Sequence, residues 1–350
     1  MAVVTDGTAV LGLGDVGPAA ALPVMEGKAA LFAHLAGIDA VPVCLATKHP
    51  DEFVAAVRAL APSFGGINLE GIAAPACFEV EQRLQQALDV PVFHDDQHGT
   101  AIVVLAALRN ALRVVGKRVE SARLVVVGAG PAGTATASLL VAAGATDVVV
   151  VVRDGVLHRD DMPRLPLHEA QLVGWTNPRR VRGGLAAALA GADAVVGLSR
   201  AGVLTRELVA SMGEAPVVFA LAAPEPEIRP ERVSDIAAVV STGRADYPNQ
   251  VDNALVFPGV FRGALDARVP QITLPMRLAA ADVLAGLVPR EQLSATRLLP
   301  DVLDGQVVPT VAGAVAAVAA ERRRRIDPAV GGVPLPEPTR NVSPQEGVGP

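Results

Sequence analysis

The sequence predicts an α/β protein built from a Rossmann-type doubly wound parallel sheet domain and a second, smaller α/β domain. Two observations predict this class. Valine-rich runs, such as the one at 148–152, alternate with alanine-rich segments, as buried parallel strands alternate with helices. The 350 residues are 51% hydrophobic and 19% charged, which indicates well-buried globular domains rather than a disordered chain.

The first part of the chain predicts a repeat of strands and helices. Polar residues gather at the ends of the expected strands, which is where open α/β sheets bind their ligands. The last helix of this part is expected to begin after an N-cap at Thr100. The expected strands are 2–7, 41–45, 66–70 and 90–93, and the expected helices are 24–36, 50–61, 77–88 and 100–115.

The second part predicts further alternation and then an unstructured end. Strands are expected at 123–127, 148–152, 194–196, 217–220 and 237–241, with a last helix at 310–325. Residues 327–350 are rich in Pro and Gly without periodicity, which predicts disorder. We therefore expect a smaller domain over 1–97, a dinucleotide-binding domain over 98–326 and a disordered tail over 327–350.

Composition excludes several classes of protein. The net charge is −6 and the one basic cluster, at 322–325, is typical of solvated charge, so nucleic-acid binding is not expected. Gly, Asp and Thr occur too early for a signal peptide, and no uninterrupted apolar run is long enough to span a membrane. Cys44 and Cys77 lie in apolar surroundings outside any CxxC pair, which indicates structural thiols and a cytoplasmic location.

Two segments match the GxGxxG pattern, and their contexts differ. The second match follows a clean strand and opens a helix, and Asp154 follows 21 residues after its last glycine. Glycines there let the backbone approach a pyrophosphate at a helix N-terminus, so this match predicts a dinucleotide site. Asp154 favours NAD, whereas Arg153 beside it favours NADP, and the choice stays open. The first match, at Gly12, Gly14 and Gly17, is equally well read as a tight turn; the predicted dinucleotide residues are Gly128, Gly130, Pro131, Ala132, Gly133 and Asp154.

A polar cluster at 93–100 lies between a predicted strand and a predicted helix. Adjacent carboxylates at Asp95 and Asp96 are costly unless a cation neutralises them, and Mg²⁺ or Mn²⁺ needs oxygen ligands of this kind. Glu70, at another strand end, is a further candidate ligand. The alternative is that both aspartates only cap the helix. His94 and His98 are more often structural than ligating in such a place.

Lysine is rare in this chain, with three lysines among 30 basic residues. Lysine can lose its proton when buried, whereas arginine effectively cannot. Lys28 lies in an apolar predicted helix, so we expect burial to lower its pKa and to suit it as a general base. The alternative is a surface lysine whose stem lies along the helix.

Several long runs, taken in order, resemble the short bacterial malic enzymes. They include VVTDGTAVLGLGDVGP, PVMEGKAALF, FGGINLE, VPVFHDDQHGTAIVVLAAL, VVVGAGPAG and TGRADYPNQVDN, and they cover about residues 2–310. The resemblance implies a metal-dependent oxidative decarboxylation of malate, or of a related 2-hydroxy diacid, with NAD or NADP. It implies a homo-oligomer, most simply a dimer. It also implies Lys28 as general base with Asp95 beside it, a metal held by Glu70 and Asp96, and substrate contacts at Gly14 and Asn253.

The chain departs from the family pattern at positions that matter to this chemistry. Gly71 stands where the family has a metal-binding aspartate, and Ala223 where it has a substrate-contacting asparagine. Asp252 replaces the first member of an Asn-Asn pair, and the family's catalytic tyrosine belongs to an N-terminal segment that this sequence lacks. Alternatives to the malic enzyme activity are therefore an impaired paralogue that binds dinucleotide and a dehydrogenase that does not decarboxylate.

Overall fold

The computed structural model describes residues 1–326, with side chains through 324. The disorder predicted for 327–350 lies outside the described residues. Within the described part, the chain forms two separate sheets, which agrees with the predicted α/β class. None of its helices has the length and apolarity that crossing a membrane requires.

The first sheet contains four parallel strands in the order β2-β1-β3-β4. Valines, isoleucines and leucines fill its interior positions, and α2 and α3 pack against each other beside it. The elements are β1 (Ala2–Thr5), α1 (Gly17–Ala36), β2 (Val41–Cys44), α2 (Pro50–Leu60), β3 (Ile67–Leu69), α3 (Ala76–Ala87) and β4 (Val92–His94).

The second sheet has six strands in the order β10-β9-β8-β5-β6-β7, parallel except for the short β7. Its central strands are fully buried valine runs, as expected for a sheet covered on both faces. The elements are α4 (Asp95–Val114), β5 (Arg123–Val127), α5 (Pro131–Ala142), β6 (Asp147–Val152), β7 (Gly155–Val156), α6 (Leu167–Leu172), α7 (Leu185–Leu189), β8 (Ala194–Gly197), α8 (Arg206–Ala210), β9 (Val217–Ala220), β10 (Val239–Thr242), α9 (Phe257–Asp266), α10 (Leu274–Gly286) and α11 (Val307–Ile326).

Helix α4 links the two sheets and positions the acidic cluster. It starts directly after β4, and it packs against α5 and α10 with most of its residues buried. The predicted N-cap at Thr100 is wrong, because the helix begins five residues earlier at Asp95, with His94 as N-cap. Carboxylates are favourable in a first helical turn, since they face the positive end of the helix dipole. Asp95 and Asp96 therefore belong to the helix, although neither makes a side-chain capping bond.

Two other differences concern helices around the same region. Helix α1 begins at Gly17 rather than at residue 24, with Pro18 in its first turn, so the first glycine match leads into a helix. Helices α9 and α10 were not predicted. Phe257 and Phe261 of α9 pack edge-on against Phe32 of α1, which fixes α1 against the second part of the chain.

Candidate active site

Lys28 lies at the centre of the candidate site, buried among carboxylates. Its Nζ donates to Asp95 Oδ2 at 2.5 Å and lies 3.2 Å from Glu70 Oε1. The amine also lies over the ring of Phe257, 4.0 Å from the centroid. Helix α1 supplies the lysine, the end of β3 supplies Glu70, and the start of α4 supplies Asp95. The structure thus brings together the residues that the sequence placed on three separate elements.

The electrostatic balance of this cluster is negative. Burial raises the pKa of Asp95 and of Glu70 to about 7 each, although Lys28 opposes the shift. Burial likewise raises the pKa of Asp96 to about 6. Three carboxylates surround a single ammonium group, so each resists losing its proton.

The expectation of a lowered Lys28 pKa is wrong for this arrangement. Burial alone would lower the pKa of Lys28, but the attraction of Asp95 and Glu70 outweighs it and raises the pKa above its ordinary value. The sequence showed an apolar helix around the lysine, but not the carboxylates that the fold brings to it.

Gly99 allows Asp95 to reach its position. Residues 95 and 99 lie one helical turn apart on the same face of α4. A Cβ atom at Gly99 would lie 1.8 Å from Asp95 Oδ1 and 3.3 Å from the Cβ of Asn253. The same oxygen is buried and has no hydrogen-bond partner. Asn253, a predicted substrate contact, therefore lies across Gly99 from the predicted catalytic aspartate.

The second glycine match has the geometry of a dinucleotide loop. Gly130 is the N-cap of α5, Pro131 is its first residue, and Ala132 follows in the first turn. A Cβ at Gly133 would lie 2.0 Å from the carbonyl oxygen of Gly128, so glycine is required for the close packing of loop and helix.

A cavity of about 420 Å³ opens beside this loop. Gly128, Arg153, Asp154 and Arg200 are among the residues that line it. Arg153 and Asp154 form the turn between β6 and β7, so both side chains that bear on the choice between NAD and NADP border one cavity.

The first glycine match forms an exposed loop between β1 and α1. Gly14 pairs with Val10 through two backbone hydrogen bonds of 2.8 and 2.9 Å. A Cβ at Gly12 would lie 3.9 Å from the Cβ of Ala223, so this loop borders the segment after β9. Glu227, fully buried, holds that segment: it accepts from Ala222 N at 2.9 Å and from Ser199 N at 2.8 Å. It therefore ties the segment after β9 to the loop after β8 that borders the dinucleotide cavity.

Two of the candidate metal ligands contact other groups of the protein. Across residues 1–326, no group of three or more His, Cys, Asp or Glu residues has the arrangement needed to hold a metal ion. Asp95 faces Lys28, and Asp96 Oδ2 accepts from the backbone amide of Gly71 at 2.7 Å.

The two parts of the chain match two domains of one known family. The N-terminal domain of malic enzyme matches residues 1–85, and its NAD-binding domain matches residues 97–320. The chain belongs to the malic enzyme family. Two curated relatives are the NAD-dependent malic enzyme of Geobacillus stearothermophilus, 51% identical over 315 residues, and the bifunctional malic/malolactic enzyme of Bacillus subtilis, 49% identical over 332 residues.

The alignments cover a larger share of this chain than of the two relatives. The alignments include 90% and 94% of this chain, but 66% and 81% of the two relatives, respectively. The crystal structure of the NAD-dependent malic enzyme from Thermotoga maritima superimposes with a TM-score of 0.86 at 46% identity, covering 90% of this chain and 83% of that one. The resemblance found in the sequence motifs and the predicted Rossmann-type fold are thus confirmed.

Two residues of the site, Glu81 and Phe257, were not predicted from the sequence. Glu81, on α3, is buried and accepts from His94 N at 2.9 Å, Gln97 Nε2 at 3.0 Å and His98 Nε2 at 3.0 Å. It thereby holds the first turn of α4. His98 contacts Glu81 through its ring, whereas His94 does so only through its backbone amide, and both ring nitrogens of His94 are buried without a hydrogen-bond partner. The signal was available, because residue 81 falls on the apolar face of α3 with Cys77 and Leu84. No comparable sequence pattern marked Phe257 as a residue of the site.

Proposed function

We propose that this chain catalyses the oxidative decarboxylation of malate, or of a related 2-hydroxy diacid, to pyruvate and CO₂ with reduction of NAD or NADP. The observation that carries the proposal is the buried Lys28 amine held between Asp95 and Glu70, with Asn253 across Gly99 from Asp95. The curated relatives bear the names of NAD- and NADP-dependent malic enzymes, which supports the same reaction.

The residues of the site divide the work of proton transfer. Lys28, once deprotonated, accepts the proton of the C2 hydroxyl as the bond to oxygen gains carbonyl character. Asp95 fixes the amine by a 2.5 Å hydrogen bond, and its negative charge balances the positive charge that the amine gains when it takes up the proton. Asn253 and the Gly14 loop orient the substrate, and the Phe257 ring excludes water from one side of the amine.

Donor chemistry in the cluster fits a divalent cation. Glu70 and Asp96, with Asp95, are oxygen ligands of the kind that Mg²⁺ and Mn²⁺ prefer, and their raised pKa values indicate excess negative charge. When bound, the ion would supply Lewis-acid polarisation of the 2-oxo group during loss of CO₂. The carboxylates, once neutralised, would attract the Lys28 proton less, so the pKa of Lys28 would fall and more of the amine would be free to accept a proton.

The dinucleotide fits the loop that contains Gly128, Gly130 and Gly133. Pro131 and Ala132 begin α5, whose N-terminus faces a pyrophosphate in such folds. Asp154, in the turn after β6, is the residue that we assign to a ribose hydroxyl, which favours NAD, and the nicotinamide would supply the hydride acceptor.

One assay tests the proposed reaction. The purified chain is incubated with L-malate, Mn²⁺ and either NAD or NADP, and both reduced cofactor and CO₂ are followed. We expect both products in equal amounts, and their loss in Lys28→Met. Cofactor reduction without CO₂ would support a dehydrogenase that does not decarboxylate. Neither signal, with dinucleotide binding intact, would support an impaired paralogue.

We also propose that the chain works as a homo-oligomer, most simply a dimer, in the cytoplasm. Val24 and Leu31, two turns apart on one face of α1, and Val41 on the edge strand β2 each expose more than a third of their surface, which supports a subunit contact. Cys44 and Cys77 are both free thiols, which supports a reducing compartment. Sedimentation of the wild type and of Leu31→Glu tests the contact: a monomeric wild type would contradict it.

A further inference from the structure

Glu227 is a buried carboxylate whose partners are backbone amides and one hydroxyl group. Its Oε1 accepts from Ser199 N at 2.8 Å and from Ser199 Oγ at 3.0 Å, and its Oε2 accepts from Ala222 N at 2.9 Å. Among the residues whose side chains the structure describes, no cation forms an ion pair with it. Burying a carboxylate is costly unless hydrogen bonds compensate, so three donors that converge on both oxygens indicate a side chain held firmly in one position.

The end of β8 leaves the space that this side chain needs. Gly197 is the last residue of β8, and a Cβ there would lie 2.5 Å from Glu227 Cδ and 2.8 Å from its Oε1. Nonbonded contacts of this kind need about 3.5 Å or more, so any larger residue would displace the carboxylate. The backbone of Gly197 lies outside the left-handed region, so glycine provides space here rather than a special conformation.

One end of this connection lies at the dinucleotide cavity. Ser199 and Arg200, in the loop after β8, both line the cavity of about 420 Å³ beside the glycine loop. The loop after β8 also packs against the glycine loop, because a Cβ at Gly128 would lie 2.3 Å from the carbonyl oxygen of Leu198. The donors to Glu227 Oε1 therefore belong to a wall of the proposed cofactor site.

The other end lies in the segment after β9, which comprises residues 221–227. Ala222 precedes Ala223, and a Cβ at Gly12 would lie 3.9 Å from the Cβ of Ala223. Gly12 belongs to the loop that we assign, through Gly14, to the substrate. Neither Ala222 nor Ala223 lines the dinucleotide cavity. A single carboxylate thus joins a wall of the cofactor site to a segment that borders the substrate loop.

We propose that Glu227 is a positioning residue, which fixes the segment after β9 to the loop after β8 so that a bound dinucleotide also orders the segment beside the substrate loop. The inference rests on the proposed function, which assigns that loop to the substrate. A ligand that restricts one segment also restricts a second segment that is hydrogen-bonded to it, and binding at the second site then loses less conformational entropy.

Hydrogen exchange tests this ordering without turnover. Exchange of the backbone amides of 221–227 is followed by mass spectrometry with and without NADH or NADPH, whichever binds more tightly. In the wild type, the dinucleotide should slow this exchange about threefold or more. In Glu227→Gln, whose side-chain NH₂ group would face an N–H donor, the dinucleotide should still bind but the slowing should disappear. Binding without slower exchange in the wild type, or equal slowing in the variant, would overturn the proposal, whereas no binding of either dinucleotide would contradict the proposed function itself.

Two further variants separate positioning from general destabilisation. Asn110, buried on α4, donates to the carbonyl oxygens of Ala285 and Leu298, so Asn110→Asp also leaves buried hydrogen bonds mismatched, but away from the dinucleotide cavity. This control should unfold at a lower temperature and keep the effect of the dinucleotide on exchange. Gly197→Ala, which displaces Glu227 without changing its chemistry, should lose that effect. Loss of the effect in Asn110→Asp as well would overturn the proposal.

Steady-state kinetics with malate deuterated at C2 provide a second measurement. In Glu227→Gln, we expect kcat to fall about 10-fold or more, because the substrate and the nicotinamide would no longer be aligned. The primary isotope effect should rise as hydride transfer becomes rate-limiting, and dinucleotide affinity should stay within about threefold of the wild type because the glycine loop is untouched. A lower unfolding temperature with unchanged kcat and isotope effect would make Glu227 a structural residue only.

Discussion

Substituting Gly99 by alanine should disable the candidate active site without removing any of its functional groups. The added Cβ would lie 1.8 Å from Asp95 Oδ1 and 2.9 Å from its Cγ. Nonbonded contacts of this kind need well over 3 Å, so the carboxylate must retreat by about 1.5 Å. The 2.5 Å hydrogen bond from Lys28 would then lengthen to about 4 Å, beyond hydrogen-bonding range.

The size of the effect follows from this displacement. A misplacement of about 1 Å in a catalytic group can cost about 100-fold in rate, equivalent to about 2.7 kcal/mol. Stability should change less. Overpacking costs about 1–3 kcal/mol, and alanine recovers up to about 1 kcal/mol over glycine inside a helix. We therefore expect kcat for malate oxidation to fall about 100-fold in a protein that still folds.

The assay compares steady-state kinetics of Gly99→Ala with those of Gly27→Ala. Gly27 also lies inside a helix, next to Lys28, but a Cβ there meets nothing within 4 Å. The control should therefore keep wild-type kinetics and gain slight stability. If Gly99→Ala retained turnover within about threefold of the wild type while folded, the placement of Asp95 would not matter to the reaction, and the argument would be refuted.

Three further predictions follow from other parts of the structure. Burial lowers the pKa of His94 to about 4, below about 6.5 in the unfolded chain. Protons therefore favour the unfolded state from pH 6.5 down to pH 4. Over this range, the free energy of unfolding of the wild type, measured in urea, should fall by up to about 1.4 kcal/mol per pH unit more than that of His94→Gln. Equal decreases in the two proteins would contradict this. Gly133→Ala should lower both thermal stability and NADH affinity, because its Cβ would clash with Gly128. Gly130→Ala should lower NADH affinity alone, because its Cβ meets nothing within 4 Å. Equal thermal stabilities of the two variants in calorimetry would contradict this difference. Gly71 has φ +63°, so Gly71→Asp and Gly71→Ala should both lose about 1–2 kcal/mol of stability, but only the aspartate variant should bind Mn²⁺ more tightly, measured by electron paramagnetic resonance. Equal Mn²⁺ affinity in the two variants would count against the metal site.

The sequence predicted most strands and the turn from strand to helix at the second glycine match, because both depend on local patterns. The strand at 123–127 and its glycine loop are where the pattern placed them. The start of α4 was missed because Thr100 resembles an N-cap, whereas the strand β4 leads into the helix without a loop. Local pattern alone cannot reveal that a strand and a helix are directly joined.

What the sequence could not provide was the environment of each ionisable group. Lys28 stands in an apolar helix, and from that context burial alone predicted a lowered pKa. The fold brings three carboxylates to it, from two other elements, and reverses the direction of the shift. The same limit applies to Arg277, which only the fold brings to His98 of α4 and near the residues of α3.

The first turn of α4 presents its side chains to two different environments. Successive residues of a helix point about 100° apart, so Asp95 and Gln97 project to nearly opposite sides. Asp95 faces Lys28, while Gln97 and His98 face Glu81 and the cavity that contains Arg277. Glu81, which accepts hydrogen bonds from Gln97 and His98, therefore holds the same turn that fixes the distance between Asp95 and Lys28. Because a misplacement of about 1 Å in a catalytic group can cost about 100-fold in rate, a displacement of this turn by that much would be enough to change catalysis.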